Sequence, residues 1–356
     1  FNCLEENLKL NPSKAAIHFV DKNFNIETVN YKTLDNYINF FSAKIKNVKK
    51  TNYKKNICMI HASASKASAV SMLSCSKLGI FHSVIFEELE KQAFKLRMKL
   101  LRPNIFITRY SDRSFLKSIE TEMKKINMNK FKIFVFGKMR SVNSKNIEFI
   151  DLDKIDFKNL KVIRYNFVKS NTPSFCLFTS GSTGIPKGII HSTGGYMLFA
   201  KLTCKNQFGM NEKTTVLTAS DAGWINGHTY SIFGPLSIGS TSVLCETPLM
   251  LLNSEFLKNI LLNLRISVLY LPVTLAKLIK ATNKKNTKSK YIKTVGSMGE
   301  PLSPSLNIWL SKKFTLKKIP IINTYFQTET GGIIFSPRYN QKFSSVTTGS
   351  VGKPAC

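Results

Sequence analysis

The chain has 356 residues, 43% of them hydrophobic, with Lys+Arg 52, Asp+Glu 21 and a formal net charge of +31 at pH 7. That length and apolar content fit a globular protein with a large core and more than one lobe, and no uninterrupted apolar run reaches the roughly 18 residues of a membrane span. The basic charge invites a nucleic-acid reading, but lysines are spread through "NVKKTNYKK", "TEMKKINMNKFK" and "ATNKKNTKSK" without interleaved aromatics, so no specific nucleic-acid partner and no membrane partner is expected.

From about Thr28, "TVNYKTLDNYINFFSAKIKNV" reads as a short strand and then an amphipathic helix, with Leu34, Ile38, Phe41 and Ile45 at helical spacing. "KKNICMIHA" reads as a buried strand, "SKASAVSMLSCSKLG" as a helix closed by Gly79, and "IFHSVIF" as the next strand. "NIFIT", "FKIFVFG" and "NIEFIDL" continue the pattern between basic helical or loop segments, which predicts α/β architecture with a parallel, doubly wound sheet. Past Pro173 the rhythm repeats. "SFCLFTS", "TTVLTAS", "ISVLYLP", "KTVGSMGEPLS" and "IPIINTYFQTETGG" contribute strands, and "GGYMLFAKLTCKNQF", "SEFLKNILLNLR" and "TLAKLIKAT" contribute helices. "IFGPLSIGSTSVLCETPLMLLN" reads as core strands and turns. Two α/β lobes are predicted, residues 1–170 and 171–356, with the break in "VKSNTPS".

Seven cysteines, at Cys3, Cys58, Cys75, Cys176, Cys204, Cys245 and Cys356, form no CxxC pair and no metal-ligand spacing with the five histidines. A reduced, cytoplasmic compartment is expected. Phe1 in place of a Met and the stop at Cys356 read as cut ends, so the lack of a targeting peptide carries no information.

The most unusual stretch is "LFTSGSTGIPKGIIHSTGGY", Leu177 to Tyr196. A glycine-rich loop after a strand offers backbone N–H groups to phosphate oxygens, and its hydroxyls and lysine add donors. It is not a Walker loop, because counting on from Gly181 puts Pro186 where the second glycine belongs. Taken alone, an ordinary flexible loop explains it as well.

"TSGSTGIPKG" resembles the phosphate loop of the adenylate-forming superfamily, and "VGSMGEP" and "NTYFQTETGG" follow in the order of that superfamily's adenine and magnesium motifs. "SDAGWINGHTYSIFGPLSIGSTSVLCE" and "SMLSCSKLGIFHSVIF" are similar to stretches of the AMP-forming acetyl-CoA synthetases and their propionyl relatives. The resemblance runs from about Thr28 to Gly352. It implies ATP-dependent activation of acetate or another short-chain acid to acyl-AMP. Transfer to CoA would then give acetyl-CoA, AMP and pyrophosphate, with ATP, Mg²⁺ and CoA as the expected cofactor and substrates.

By that resemblance Thr179, Ser180, Gly181, Ser182, Thr183, Gly184 and Lys187 hold the β and γ phosphates, with Ile185 where relatives often carry a lysine. Gly299, Glu300 and Pro301 line the adenine and ribose, and Asn323, Thr324, Tyr325, Phe326 and Gln327 continue the ATP site, with Asn323 replacing the usual aspartate. Thr328 touches the α-phosphate and Glu329 carries Mg²⁺; Lys187, Thr328 and Glu329 are the expected catalytic residues. Trp224, Ile225, Asn226, Met298 and Phe326 form the acyl pocket. Phe326 stands where acetyl-CoA synthetases have a tryptophan, and Met298, where relatives usually have valine, is long enough to refill the space, so the pocket is altered rather than clearly enlarged; plain core packing explains both residues nearly as well.

The CoA side departs further from the family. Arg113 and Asn226 are the expected CoA contacts, but Glu87 and Glu88 replace a glycine pair, and two carboxylates facing a polyanion are expected to repel it. The resemblance also implies a second, C-terminal domain with a catalytic lysine, which this chain lacks, so it is expected to be inactive alone. The alternatives are a propionyl or medium-chain acyl-CoA synthetase and a noncatalytic nucleotide-binding relic. A basic nucleic-acid binder ranks last.

Overall fold

A computed structural model describes residues 2–48, 55–127, 130–138, 144–179, 185–282, 287–340 and 349–355. In chain order these residues form α1 (Glu5–Leu10), β1 (Ala15–Val20), β2 (Ile26–Asn30), α2 (Tyr31–Lys46), β3 (Ile57–His61), α3 (Lys66–Leu78), β4 (Phe81–Ile85), α4 (Lys91–Leu101), β5 (Ile105–Thr108), α5 (Arg113–Asn127), β6 (Lys132–Phe136), β7 (Ile147–Ile150), β8 (Pro173–Thr179) and β9 (Lys187–Ser192). There follow α6 (Thr193–Phe208), β10 (Thr215–Thr218), α7 (Ile225–His228), α8 (Gly234–Ile238), β11 (Thr241–Cys245), α9 (Ser254–Asn263), β12 (Val268–Pro272), α10 (Val273–Thr282), β13 (Thr294–Met298), α11 (Pro304–Lys313), β14 (Ile321–Asn323), β15 (Phe335–Ser336) and β16 (Lys353–Pro354).

The chain divides into two compact units. The first, Lys32–Gly194, is built on a seven-stranded sheet in the order β7-β6-β5-β3-β4-β8-β9. All neighbours there are parallel except β8 and β9. Its strands read as nearly continuous apolar runs because helices cover both faces of a parallel sheet. Met59, Phe106, Ile133 and Val135 pack against Phe94 and Met98 of α4 and Leu116 and Met123 of α5. Burying each such side chain contributes about 1.5–3 kcal/mol. Helix α3 is set at both ends: Ser65 and Ser68 form a capping box, and Gly79 closes it at φ 64, a left-handed conformation that glycine adopts without strain.

The second unit comprises Asn2–Tyr31 and Gly195–Cys356, with its sheet in the order β14-β13-β12-β10-β11-β1-β2. Only β2 runs antiparallel to its neighbour. Its core sets Leu217, Leu269, Leu271, Val295 and Ile321 against Leu257, Ile260 and Leu261 of α9 and Ala276 and Ile279 of α10.

Three expectations are corrected. The break is not at residue 170: β8 lies beside β4, with His82 paired to Phe175, and β1 lies beside β11. Chain rhythm shows that strands alternate with helices but not which sheet each strand joins. "IFGPLSIG" is helical rather than strand, running through a π turn at Thr229–Phe233 into α8. The segment is buried on all sides, so its sequence carries no period to betray a helix. Finally, much of the polar loop is regular structure. Lys187–Ser192 pairs antiparallel with β8, and Thr193 begins α6.

Candidate active site

In the first unit the phosphate-loop motif is flanked by the antiparallel strands β8 and β9. Thr179, the last residue of β8, stands directly across from Lys187, the first of β9. Ser180, Gly181, Ser182, Thr183 and Gly184 lie outside the described residues. Lys187 is exposed, and Ile185, 60% exposed, adds no charge beside it.

Elsewhere in this unit the carboxyl ends of β3, β4 and β5 carry a polar cluster. Arg109 Nε and Nη2 donate to Glu87 Oε1 and Oε2 at 2.7 and 2.9 Å. His61 Nδ1 is 3.1 Å from Thr108 Oγ1, and its Nε2 is 3.3 Å from the Glu87 carbonyl. Burial pushes the His61 imidazole below its ordinary pKa. Burial works to raise Glu87, but the Arg109 hydrogen bonds and charge and a backbone N–H of Ser63 outweigh it and hold the carboxyl below the usual range. The expected pair of repelling carboxylates is therefore corrected: Glu87 is neutralised by Arg109, and only Glu88 faces solvent. Arg113 is exposed and opens α5.

In the second unit the remaining motifs gather at the carboxyl ends of β13 and β14, adjacent parallel strands. Past β13, Gly299 turns the chain at φ 90, in the left-handed region. Glu300 pairs with Lys277 Nζ at 2.8 Å, and Pro301 is exposed. Asn323 is buried: its Oδ1 accepts from Ser297 Oγ at 3.1 Å, and its Nδ2 donates to the Gly349 and Ser350 carbonyls, both at 3.1 Å. An aspartate there would set a carboxylate against two carbonyl oxygens, which explains the amide. Thr324 Oγ1 lies 2.7 Å from the Ser297 carbonyl and 2.6 Å from the Tyr270 hydroxyl.

The "QTETGG" segment is a tight turn, with Thr328–Thr330 in one 3₁₀ turn and Gly331 at φ 73. Gln327 N–H donates to Thr330 Oγ1 at 3.0 Å. Thr328 is half-buried and Glu329 is exposed at the turn. Two residues of the helical run hold the turn. Thr229 Oγ1 donates to the Gly331 carbonyl at 2.7 Å, and the Tyr230 hydroxyl accepts from Ile333 N–H at 2.7 Å.

Of the five expected acyl-pocket residues, four are packed together or inward. Met298 is buried and shares a cluster with Tyr230, Tyr270 and the half-buried Phe326, whose ring lies 5.9 Å from that of Tyr230. Asn226 Nδ2 contacts Met298 Sδ at 2.8 Å, and Ile225 is 4% exposed. Trp224 is 56% exposed at the start of α7. Gly227 must be glycine, since a Cβ there would lie 2.2 Å from the Asp221 carbonyl oxygen. Tyr230, Tyr270, Thr229 and Ser297 were not singled out from sequence, although each fixes a motif residue. For Thr229 and Tyr230 the sequence signal is the polar "HTYS" inside an otherwise apolar run. Burial raises the pKa of both tyrosines, so they stay protonated.

Among the described residues no three His, Cys, Asp or Glu side chains gather to hold a metal ion, and no helix is long and apolar enough to cross a membrane.

A family model described as "AMP-binding enzyme" matches residues 4–356. Acetyl-coenzyme A synthetase of Helicobacter pylori (strain G27) is 30% identical over 95% of this chain and 52% of its own length. The Escherichia coli (strain K12) protein of that name is 28% identical over 94% of the chain and 53% of its own length. The chain thus spans about half the length of the curated relatives it matches. Acetoacetyl-CoA synthetase from Streptomyces lividans shares the fold, with a TM-score of 0.79 at 15% identity over 95% of this chain and 53% of that one.

Proposed function

Because the chain belongs to the AMP-binding enzyme family, we propose that it provides the nucleotide- and acid-binding part of a ligase that activates a short-chain carboxylic acid with ATP. The carboxylate attacks the α-phosphorus, the bond to the β-phosphate oxygen breaks, and acyl-AMP and pyrophosphate form. In the whole protein a CoA thiol then displaces AMP, as the names of the relatives suggest. The observation that carries this reading is the placement of "GSMGEP" and "NTYFQTETGG" at the ends of two neighbouring parallel strands, where α/β sheets present ligand-binding residues.

Lys187 and Thr179 flank the loop that would take the β and γ phosphates, where backbone N–H groups supply donors. Gly299, Glu300, Pro301 and the Asn323–Gln327 segment would receive adenine and ribose, and Thr328 the α-phosphate. Glu329 offers a single exposed carboxylate, which fits Mg²⁺, an ion commonly bound through one or two carboxylates plus substrate phosphates and water. When bound, the ion would neutralise charge building on the phosphate oxygens.

Met298 and Phe326 pack in one cluster with Tyr230 and Tyr270, which supports a small acyl site and the smallest acids. One methylene in such a pocket is worth only about 1–3 kcal/mol, so acetate and propionate are separated modestly. Titration of this chain with ATP and Mg²⁺ tests the first step. Saturable binding is expected, and it should weaken at least about tenfold in Lys187→Ala with thermal unfolding unchanged. Wild-type chain that is folded yet shows no saturable ATP binding would overturn the reading.

A further inference from the structure

The second unit has a cavity of about 400 Å³ beside α11, within the range of about 300–1,000 Å³ that takes a small organic molecule. Ser305, Ile308, Trp309, Lys312 and Lys313 line it from one face of the helix, at the i, i+3, i+4, i+7 and i+8 spacing that gathers side chains into a single stripe. Thr287 and Lys288, in the connection from α10 to β13, complete the lining. Helix α11 carries the chain from the carboxyl end of β13 back to the amino end of the parallel β14, so Lys312 and Lys313 stand toward the amino end of the sheet. "GSMGEP" and "NTYFQTETGG" stand at its carboxyl end, which makes this cavity separate from the nucleotide motifs.

The lining is fixed in place and cationic. Ser289 N–H donates to the Phe314 carbonyl at 2.9 Å, which ties the Thr287 segment to the end of α11. The Trp309 ring meets Phe314 edge-on with centroids 6.0 Å apart, and the Lys313 ammonium lies 5.8 Å from the Trp309 centroid. Three lysines and no acidic residue are among the described residues that line the cavity. A helix C-terminus carries partial negative charge, so an anion here is held by the ammonium groups and not by the backbone. Burial lowers the Lys313 pKa, as expected of an ammonium partly stripped of water. Thr287 supplies an independent observation: it is 1% exposed, and its buried Oγ1 has no hydrogen-bond partner. Buried hydroxyls are ordinarily satisfied, so one left open in a residue that lines a cationic, aromatic cavity points to a ligand that brings the partner.

We propose that this cavity binds a phosphate monoester carried on a flat ring. The three ammonium groups and the Thr287 hydroxyl take the phosphate, and the ring packs against Trp309 and Ile308. Lysine is a point charge without the guanidinium fork, so the choice of phosphate over carboxylate rests on charge. A phosphate monoester carries about −1.5 to −2 at pH 7 and suits three cations better than the single charge of a carboxylate. The site does not depend on the ligase reading.

The chain has two tryptophans, Trp224 and Trp309, and Trp224 is 56% exposed. In the full chain carrying Trp224→Phe, indole emission therefore reports on this cavity alone. Phenyl phosphate should change that emission saturably, and inorganic phosphate at equal ionic strength should bind at least about tenfold more weakly because it has no ring to bury. Benzoate should bind at least about threefold more weakly for want of the second charge. Adding Lys312→Gln with Lys313→Gln should weaken phenyl phosphate at least about tenfold. Thr287→Val should weaken it about three- to tenfold while thermal unfolding stays unchanged or rises, because a methyl replaces a hydroxyl that has no partner in the fold. Adenosine monophosphate that binds more tightly than phenyl phosphate, read on Trp309, identifies a nucleotide, and equal binding identifies a smaller ring; either supports the site. Inorganic phosphate that binds as tightly as phenyl phosphate reduces the cavity to diffuse charge and overturns the proposal. Folded Trp224→Phe without a saturable change overturns it as well. Thr287→Val that unfolds earlier yet binds as before assigns the hydroxyl to the fold and has the same consequence. Should Trp224→Phe not fold, calorimetric titration of the wild-type chain carries the same comparisons.

Discussion

The two units satisfy their buried polar groups by opposite means. In the first unit two of the buried clusters are built on charge. Lys77, 4% exposed, reaches Asp35 Oδ1 at 3.3 Å and Asn39 Oδ1 at 2.9 Å and lies 4.4 Å above the Tyr165 ring, while Arg109 and Glu87 lock together near the sheet end. In the second unit the buried groups around the candidate site are neutral: Tyr230, Tyr270, Thr229, Thr324, Ser297 and Asn323 exchange hydroxyl and amide hydrogen bonds. Charged pairs fix geometry but are costly when one partner is lost. A neutral network fixes geometry without imposing a field of its own, which suits a site where a ligand brings several negative charges.

The largest expected effect comes from breaking a charged pair. Asp35→Ala leaves the Lys77 ammonium buried without its counter-ion and should cost about 3–5 kcal/mol in urea unfolding. Asp35→Asn retains an acceptor and should cost less. A loss below about 1 kcal/mol in Asp35→Ala would mean that the first unit's charges are incidental.

Introducing a charge into the neutral network should be next. Asn323→Asp replaces the amide that donates to Gly349 and Ser350 and should cost about 2–3 kcal/mol at pH 7. A carboxyl facing two carbonyls has its folded-state pKa raised, so the destabilisation should shrink as pH falls and the group protonates. Equal stability of Asn323→Asp and wild type at pH 7 would break the contrast between the units.

The smallest effect is in the acid limb of stability. The folded-state pKa of Glu87 is depressed, so its contribution is complete above the ordinary glutamate value of about 4.3 and is lost as pH falls through the lower folded value. Arg109→Met should remove that part of the acid-side decline, read as a flatter dependence of the urea midpoint on pH below about 4.3.

Most strands were legible from sequence because parallel, doubly covered strands are apolar throughout. "ICMIH", "FHSVI" and "VLYLP" became β3, β4 and β12. The sheet to which each belongs was not legible, since β1 reaches β11 across more than two hundred residues and no local pattern announces it. The motif residues of the candidate site were found from their resemblance to a family. The residues that hold them were not: Tyr230 and Tyr270 resemble any core aromatic until the turn and the strand they pin are in view. Glu87 looked like a repelling charge because its partner Arg109 is 22 positions away, and complementarity at that distance shows only in the fold.

The pairing of Thr179 with Lys187 has a bearing on which sequence changes this region tolerates. The described register ends at that pair, and lengthening the connection between its two residues costs only slowly growing closure entropy. Insertions there should leave Lys187 opposite Thr179. A single deletion inside Lys187–Ser192 is different, because side chains alternate between faces along a strand. It would shift the register by one and turn the remaining β9 side chains to the opposite face of the sheet. Natural length variation among relatives should therefore collect before Lys187 and be nearly absent in the six residues that follow from it.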